Sequence, residues 1–443
     1  MAGVRPNIIV YFTDQQRWDT LGCYGQQLPI SPVLDALAQE GTLFEHCFSC
    51  QPVCGPARAC LQTGLYATQV NCHTNARILP LGIDTVARQF NAAGYQTAYI
   101  GKWHLASTRH QVYRTAAIPE ERRGGYTYWM AADALEATSH GYNGYVFDHD
   151  MRRHDFVGHR VDCINAYTID YIHKIANRIQ EDDRPFFLFI SQLDPHHQND
   201  RNRYEGPDGS KNRFKDFVPP GDLRGQGGDW EENYPDYLGS CNLIDQGVGK
   251  LMDTLQSYGL ADNTVLFYTS DHGCHFRTRN AEYKRSCHDA SLRVPLIAWG
   301  GPFAGGGVRS ELTSLIDLPA TWLDVAGIAI PPAYRGQSLL PLLYGEQQAR
   351  DVVFAQISEA ETGRTIRTAR YKYAVTAPVF DPDAPGSDVY VESHLYDLQH
   401  DPHELNNLVT DPALALVCED LKQRLLVCMR HAGEPDARIL PAS

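Results

Sequence analysis

NIIVYFTDQ, at residues 7–15, is a run of β-branched and aromatic residues that ends in the polar side chains of Asp14 and Gln15. A run of this kind is typical of a β-strand that is buried on both faces. Three later stretches repeat the pattern: TAYIGKWH at 97–104, FFLFISQLDPHH at 186–197 and NTVLFYTSDH at 263–272. Each of the four predicted strands ends in side chains that can bind a metal ion or transfer a proton.

Helical patterns lie between these predicted strands. In SPVLDALAQEG, Ser31 can cap a helix, Pro32 suits its first position and Gly41 can end it. Similar patterns occupy residues 84–94 and 243–259. The alternation predicts an α/β fold, with a large and mostly parallel central sheet flanked by helices. Ligands bind beyond the carboxyl ends of the strands in such sheets, so we expect the polar strand ends to converge there.

The character of the chain changes near residues 345–351. VVFAQISE, RTIRTARYKYAVTA and HLYDL are typical of an antiparallel sheet, and a closing helix is predicted after Asp411, its cap, and Pro412. We therefore expect a large α/β domain at 1–347 and a smaller subdomain with an antiparallel sheet and a closing helix at 348–443. The polar segment 198–237 is expected to be a long excursion at the rim of the ligand-binding edge.

The charge of the chain restricts its partners. The 443 residues carry a formal net charge of −14, which argues against nucleic acid and anionic membranes as partners. No run of apolar residues is long enough to span a membrane. The N-terminus lacks the features of a signal peptide, which favours a cytoplasmic location unless a leader has been removed. An anionic substrate would need a local cluster of cations or a metal.

The polar strand ends contain the groups that such a site needs. Asp14, Gln15, Asp271 and His272 offer mainly oxygen ligands and one imidazole, which suits Ca²⁺, with Mn²⁺ as the second choice. A metal and several cationic or proton-transferring donors together describe a site for a tetrahedral anion. The donors in question are Arg58, Lys102, His104, His196 and Lys284.

Cys54 can be interpreted in several ways from the residues around it. It can be a core residue, a metal ligand, a thiolate nucleophile or the precursor of a modified residue. Cys47, Cys50, Cys54 and Cys60 do not form a repeated C-x-x-C pair, which disfavours a structural zinc site. His197 and the histidine-rich stretch 140–160 are explained most simply by loop packing, with a wall of the substrate site as the alternative.

CGPAR, at residues 54–58, resembles the C-x-P-x-R signature of the formylglycine-dependent, or type I, sulfatases of the alkaline phosphatase superfamily. Sulfatase-like blocks cover nearly the whole chain in family order, from NIIVYFTDQQRWDTLGCYG to LYDLQHDPHELNNL. The resemblance implies that a separate maturation enzyme oxidises Cys54 to formylglycine. One hydroxyl of the hydrated aldehyde then attacks sulfur, and the other allows the adduct to collapse and release sulfate.

The resemblance also implies roles for single residues. Asp14, Gln15, Asp271 and His272 match the metal ligands. Arg58 and Lys102 match groups that hold the diol and the sulfate, and His104 matches one that supports the diol. His196 and Lys284 match residues that bind sulfate and assist the leaving oxygen.

Three positions depart from the common family pattern. Ala57 replaces a serine, a change that bears on maturation. Gln15 and His272 stand where many members have Asp and Asn, which makes the metal site less negative. His288 replaces an aromatic residue and is, with His197, a candidate substrate contact.

The resulting hypothesis is a sulfuric ester hydrolase that releases sulfate from a small organic sulfate ester, with a sulfated carbohydrate as the first choice. The alternative is a phosphonate monoester or phosphodiester hydrolase of the same superfamily, because such enzymes share the formylglycine and this type of metal site. A catalytically silent binding protein is disfavoured, since the metal, arginine, lysine and histidine positions are intact.

Overall fold

The computed structural model describes residues 5–108, 112–178, 181–346 and 348–442. The strands are β1 Asn7–Thr13, β2 Thr42–Phe48, β3 Gln96–Lys102, β4 Tyr128–Ala132, β5 Ser139–His140, β6 Asn143–Asp148, β7 Arg153–Val157, β8 Phe186–Ser191, β9 Thr264–Ser270, β10 Arg293–Val294, β11 Leu296–Trp299, β12 Gly307–Ser314, β13 Val353–Ile357, β14 Gly363–Arg367, β15 Tyr371–Thr376, β16 Val389–Asp397 and β17 Arg438–Leu440. The α-helices are α1 Pro32–Glu40, α2 Cys54–Thr63, α3 Val86–Ala92, α4 Leu135–Thr138, α5 Arg160–Arg178, α6 Ser210–Arg213, α7 Trp230–Ser257, α8 Asp289–Leu292, α9 Leu318–Val325, α10 Leu340–Leu343 and α11 Ala415–His431.

The centre of the large sheet is parallel. Its middle strands run in the order β9-β1-β8-β3-β4, and each pair of neighbours is parallel. Antiparallel pairs, such as β11 with β9 and β6 with β4, extend the sheet on both sides of this centre. The four strands predicted from their apolar runs are β1, β3, β8 and β9, so the predicted fold class is confirmed.

Two hydrophobic layers cover the two faces of the sheet. Alternate residues of β1 point to opposite sides: Val10 packs in the layer that contains residues of α2, α3 and α9, and Ile9 packs in the layer that contains residues of α1, α5 and α7. All seven residues of β1 are buried. Burial on both faces explains why the apolar run is continuous rather than alternating.

Helix α7 begins earlier than the sequence predicted. The excursion expected at 198–237 ends at Trp230, where α7 starts, and Pro235 lies inside the helix. Glu231 and Glu232 make the first turn polar, which suits the positive end of a helix dipole and hides the helical pattern. Tyr234 and Tyr237 bury their rings in a separate aromatic cluster beside the large sheet.

The C-terminal sheet differs from the prediction in one strand. Strands β13 to β16 are antiparallel as expected, but β17 pairs parallel with β16. The reason is that helix α11 crosses back between them, and such a crossover returns the chain in the same direction. The predicted boundary at 347/348 stays a prediction, since Gln347 lies outside the described residues. In the part of the chain that is described, no helix is long and apolar enough to cross a membrane.

Candidate active site

The carboxyl ends of the central strands converge on Cys54. Asp14 follows β1, Asp271 and His272 follow β9, and Lys102 is the last residue of β3. Cys54 is the first residue of α2 and is only 1% exposed. The predicted convergence of polar strand ends is therefore observed, and it occurs in a deeply buried position.

Asp14, Asp271 and His272 place their ligand atoms so that a cation fits between them. With the Cys54 sulfur, one donor atom from each of these residues lies within 4.8 Å of all the others. His272 Nδ1 lies 2.9 Å from the carbonyl oxygen of Gly273, which as an acceptor requires a proton on Nδ1 and leaves Nε2 free to bind a metal. Burial, and then the charge of Asp14, raise the pKa of Asp271 to about 6. A divalent cation would relieve this repulsion, so the donor set fits a metal.

Gln15 is held beside these ligands by its backbone and by its amide. Its φ of 68° is in the left-handed region. Its backbone N–H donates to Asp271 Oδ1 at 3.0 Å, and its side-chain nitrogen donates to the Tyr204 hydroxyl at 2.8 Å. With the nitrogen occupied, the amide oxygen is the atom that Gln15 can offer to a metal.

Cys54 is surrounded by groups that favour a negative charge. Its sulfur lies 2.9 Å from Lys284 Nζ and 3.3 Å from His272 Nε2, while the Asp14 carboxylate, at 3.4 Å, opposes a negative charge there. Burial raises the pKa of the Cys54 thiol, but Lys102, Lys284 and His272 outweigh it and hold the pKa well below its usual value. Because Cys54 starts a helix, the N–H dipoles of the first helical turn also favour a negative charge at this position. This position can therefore stabilise an anion.

Two buried cations connect Asp14 to the rest of the site. Arg58 Nη2 lies 3.0 Å from Asp14 Oδ2, and Lys102 Nζ lies 2.8 Å from the same oxygen. Arg58 also lies 3.4 Å from Asp271, and Lys102 lies 3.2 Å from Glu136. Burial opposes the charge of Lys102, but Asp14 raises its pKa, so Lys102 stays cationic.

The three predicted proton-transferring residues lie around the same sulfur. Lys284 Nζ is 3.2 Å from His196 Nε2, and His196 Nε2 is 3.9 Å from Asp14 Oδ1. Burial, and then Lys284, lower the pKa of His196. His104 follows β3 with a φ of 58°, and its imidazole helps to lower the pKa of the Cys54 thiol.

A cavity of about 360 Å³ opens above Cys54. Its lining includes Gln15, His104, His196, Lys284 and His197. The two ring nitrogens of His197 are occupied, Nε2 by the Tyr283 hydroxyl at 2.9 Å and Nδ1 by Asn199 at 3.2 Å. His197 therefore forms part of the cavity wall and holds Tyr283 in place.

His288 is the one predicted site residue that lies neither in the lining of this cavity nor in the buried cluster of charges around Cys54. It is absent from the lining of the cavity, it is buried, and its Nε2 lies 3.0 Å from the Tyr396 hydroxyl. Its ring also packs against that of His394. His288 therefore packs against the C-terminal sheet, and the substrate contact expected for it has no basis in this placement.

Glu136 and Asn75 belong to the site and were missed in the sequence. Glu136 lines the cavity and pairs with Lys102. Asn75 Oδ1 accepts the Gly55 N–H at 2.8 Å and so holds the first turn of α2. The sequence does contain a signal for Glu136, because acidic residues follow strand β4 as they follow β1 and β9. Nothing near Asn75 predicts its role.

Comparison with known families identifies the protein. A family model described as Sulfatase matches residues 6–328, and one described as N-sulphoglucosamine sulphohydrolase, C-terminal, matches residues 281–431. The chain belongs to the sulfatase family. An ulvan-active sulfatase of Formosa agariphila is 30% identical over 455 residues, which cover 97% of this chain and 82% of the relative. An N-acetylglucosamine-6-O-sulfatase of Bacteroides thetaiotaomicron is 24% identical, covering 95% of this chain and 86% of that protein.

Solved structures share the fold. A crystal structure from Bacteroides fragilis, described as that of a candidate sulfatase, has a TM-score of 0.83 over 98% of both chains at 24% identity. The phosphonate monoester hydrolase of Agrobacterium radiobacter has a TM-score of 0.73 over 96% of both chains at 21% identity. The predicted resemblance is confirmed, and the protein is a sulfuric ester hydrolase of the alkaline phosphatase superfamily. The roles of its single residues stay predictions.

Proposed function

We propose that this sulfatase hydrolyses the sulfate ester of a small organic molecule, with a sulfated carbohydrate as the substrate class, and that Cys54 acts after conversion to formylglycine. The observation that carries the proposal is the position of Cys54. It starts a helix at the floor of a polar cavity, within hydrogen-bond distance of Lys284. An anionic ester can enter a protein of net charge −14 only where cations are concentrated, as they are here.

The residues of the site divide the work of hydrolysis. Residue 54 supplies the hydroxyl that attacks sulfur. Asp14, Gln15, Asp271 and His272 would hold one divalent cation, Ca²⁺ before Mn²⁺, whose chemistry is to attract electrons from neighbouring oxygen atoms. Arg58 and Lys102 pair with the negative charge of Asp14. Their positive charges would also stabilise the negative charge of the sulfate group during the reaction.

Lys284 and His196 stand where the leaving oxygen would depart. Lys284 is a cation that touches both residue 54 and His196. As the S–O bond breaks, negative charge grows on the leaving oxygen, and a proton or a cation beside it lowers the barrier. The neutral His196 can accept a proton from Lys284 at Nε2, and the imidazolium formed in this way can pass the proton to the leaving oxygen, which then departs as an alcohol.

The proposed carbohydrate substrate is supported by the relatives and by the cavity. One relative is described as an N-acetylglucosamine-6-O-sulfatase. The cavity is lined by amide, carboxylate and guanidinium groups of Asn75, Asn199, Asn202, Glu136 and Arg277. Such groups match the hydroxyls of a sugar better than they match an apolar aryl or alkyl group.

The test is a paired rate comparison with matured protein. Maturation is checked first by peptide mass spectrometry and an aldehyde-specific label at residue 54. We expect higher kcat/KM on sulfate esters of a sugar, aryl and alkyl panel than on phosphonate monoesters, and S–O cleavage in labelled water. Cys54→Ala is the matched inactive control. Full activity with an unmodified thiol would contradict the formylglycine mechanism.

Phosphonate monoester or phosphodiester hydrolysis is the second candidate. It is favoured by the ligand pair Gln15 and His272 and by the similarity of fold to a phosphonate monoester hydrolase. A kcat/KM that is higher on phosphonate monoesters than on every sulfate ester in the panel would promote it to first place.

Two further predictions accompany this function. Cys54 needs a separate maturation enzyme as a partner, so protein made in a host without that enzyme should be inactive and unlabelled. The cytoplasmic location stays a prediction, which fractionation of the source cells would test.

A further inference from the structure

A second cavity of about 350 Å³ adjoins the cavity above Cys54. His104 and Asn75 line both cavities and form the wall between them. The far side of the second cavity contains Ser107, Asp133 and Arg114. A substrate whose sulfate lies over Cys54 could therefore extend past His104 into this space, which here is called the side cavity.

Two residues of this lining carry buried polar atoms without partners. Asp133 is fully buried, and its Oδ1 accepts the N–H groups of Leu105 and Ala106 at 3.0 and 2.9 Å. Its other oxygen, Oδ2, forms no geometrically sound hydrogen bond within the described part of the chain, and the same holds for His104 Nδ1. Buried groups of this kind usually have a partner, which can be water or a bound molecule, so the polar wall of the side cavity suits a hydroxylated ligand.

Arg114 adds a positive charge to the side cavity. Its side chain is half-buried, and no ion pair or hydrogen bond joins it to another residue of the described ranges. The carboxylate of Glu359, also in the lining, is already occupied: Arg285 Nη2 lies 2.6 Å from it, and the Asn75 N–H donates to it at 2.5 Å. Among the charged side chains of the lining, Arg114 is therefore the cation with which an anionic group could pair, while Asp133 contributes a buried carboxylate.

We propose that the substrate extends beyond its sulfated unit, and that a neighbouring hydroxylated unit with an acidic group binds in the side cavity. In this arrangement Arg114 binds the acidic group. The inference rests on the proposed function and narrows its substrate class to an acidic oligosaccharide. Arg114 is then a specificity-determining residue that takes no part in the chemistry.

The test uses matched pairs of sulfated disaccharides and trisaccharides. One member of each pair carries a uronate next to the sulfated unit, and the other has that carboxyl group reduced to an alcohol. Arg114→Ala should lower kcat/KM on the uronate member by about 10- to 100-fold, the effect of one hydrogen bond to a charged group, and leave the reduced member and an aryl sulfate unchanged. Arg224→Ala, which removes an exposed arginine bonded to the Pro219 carbonyl, is the matched control.

A second variant blocks the space instead of the charge. Ala76 lines the side cavity, and Ala76→Trp should exclude the neighbouring unit while aryl sulfate hydrolysis continues. Calorimetry of the same pairs with the unreactive Cys54→Ala chain measures binding without turnover. Equal rates and equal binding for the two members of every pair, or an equal effect of Arg114→Ala on both, would overturn the inference. Absence of hydrolysis of every sulfate ester, aryl sulfates included, would instead count against the proposed function.

Discussion

Lys284 Nζ lies 2.9 Å from Cys54 Sγ, although 230 positions separate the two residues in the chain. The same ammonium group lies 3.2 Å from His196 Nε2. Lys284 thus joins the start of α2 to the segment that follows β8, where we propose that the leaving group departs. This geometry makes its removal informative about the reaction.

Lys284→Ala should slow sulfate esters with poor leaving groups more than those with good ones. The expected loss is about 10²-fold for an alkyl or sugar sulfate, because charge on the leaving oxygen is no longer neutralised. The dependence of kcat/KM on the pKa of the leaving group should steepen. Lys250→Ala, which removes an exposed ion pair with Asp162, should leave all rates unchanged. An equal loss for good and poor leaving groups would assign Lys284 to binding alone.

Asp271→Ala should remove both the metal and turnover. Asp271 and Asp14 are two buried carboxylates, and a divalent cation between them would relieve their repulsion. Without the Asp271 carboxylate, His272 adds only a neutral nitrogen ligand, which binds a divalent cation more weakly. Metal content measured by elemental analysis and the rate on a sulfate ester should fall together. Strong chelation of the parent protein should have the same result. A normal metal content in the variant would show that the cation is bound elsewhere.

Arg17→Met should destabilise the fold by about 3 to 5 kcal/mol, the usual effect of leaving a buried charge without its partner. Arg17 is fully buried and bonds Asp222 through both terminal nitrogens at 2.9 and 2.7 Å. It also donates to the Cys274 carbonyl, which follows the proposed metal ligands Asp271 and His272. Denaturant unfolding measures the change. Asp222→Asn should cost less, because the amide oxygen still accepts one of these hydrogen bonds.

The stability of the protein should fall as the pH decreases from 6.5 to 4, and His197 should contribute to this fall. Burial lowers the pKa of His197 to about 4, so between pH 6.5 and 4 its imidazole is protonated in the unfolded chain but mostly neutral in the folded chain. The contribution is absent above pH 6.5 and reaches about 2 kcal/mol at pH 5. His197→Asn removes the titrating group.

The check compares unfolding free energies of parent and variant at pH 7.5 and pH 5. The difference between them should shift by about 2 kcal/mol in favour of the variant at the lower pH. A difference that does not change with pH would show that His197 takes up its proton in the folded state as easily as in the unfolded one.

Much of the candidate site could be predicted before the structure was known. Asp14, Lys102, His196 and Asp271 each follow an apolar run, and parallel strands bring such positions to one edge. The start of α7 could not be read in this way, because Glu231 and Glu232 give its first turn the composition of a loop. The direction of β17 depends on the path of α11, which no local pattern encodes.

Local composition and spacing along the chain were enough to predict the fold class, the family and the residue types at the site. Three relationships could be seen only in the folded chain: His288 contacts Tyr396, Glu136 pairs with Lys102, and Arg114 lines the same cavity as His104. Charges and hydrogen bonds act over a few ångströms in space, whatever the separation in sequence, and those distances are set by the packing of the whole fold.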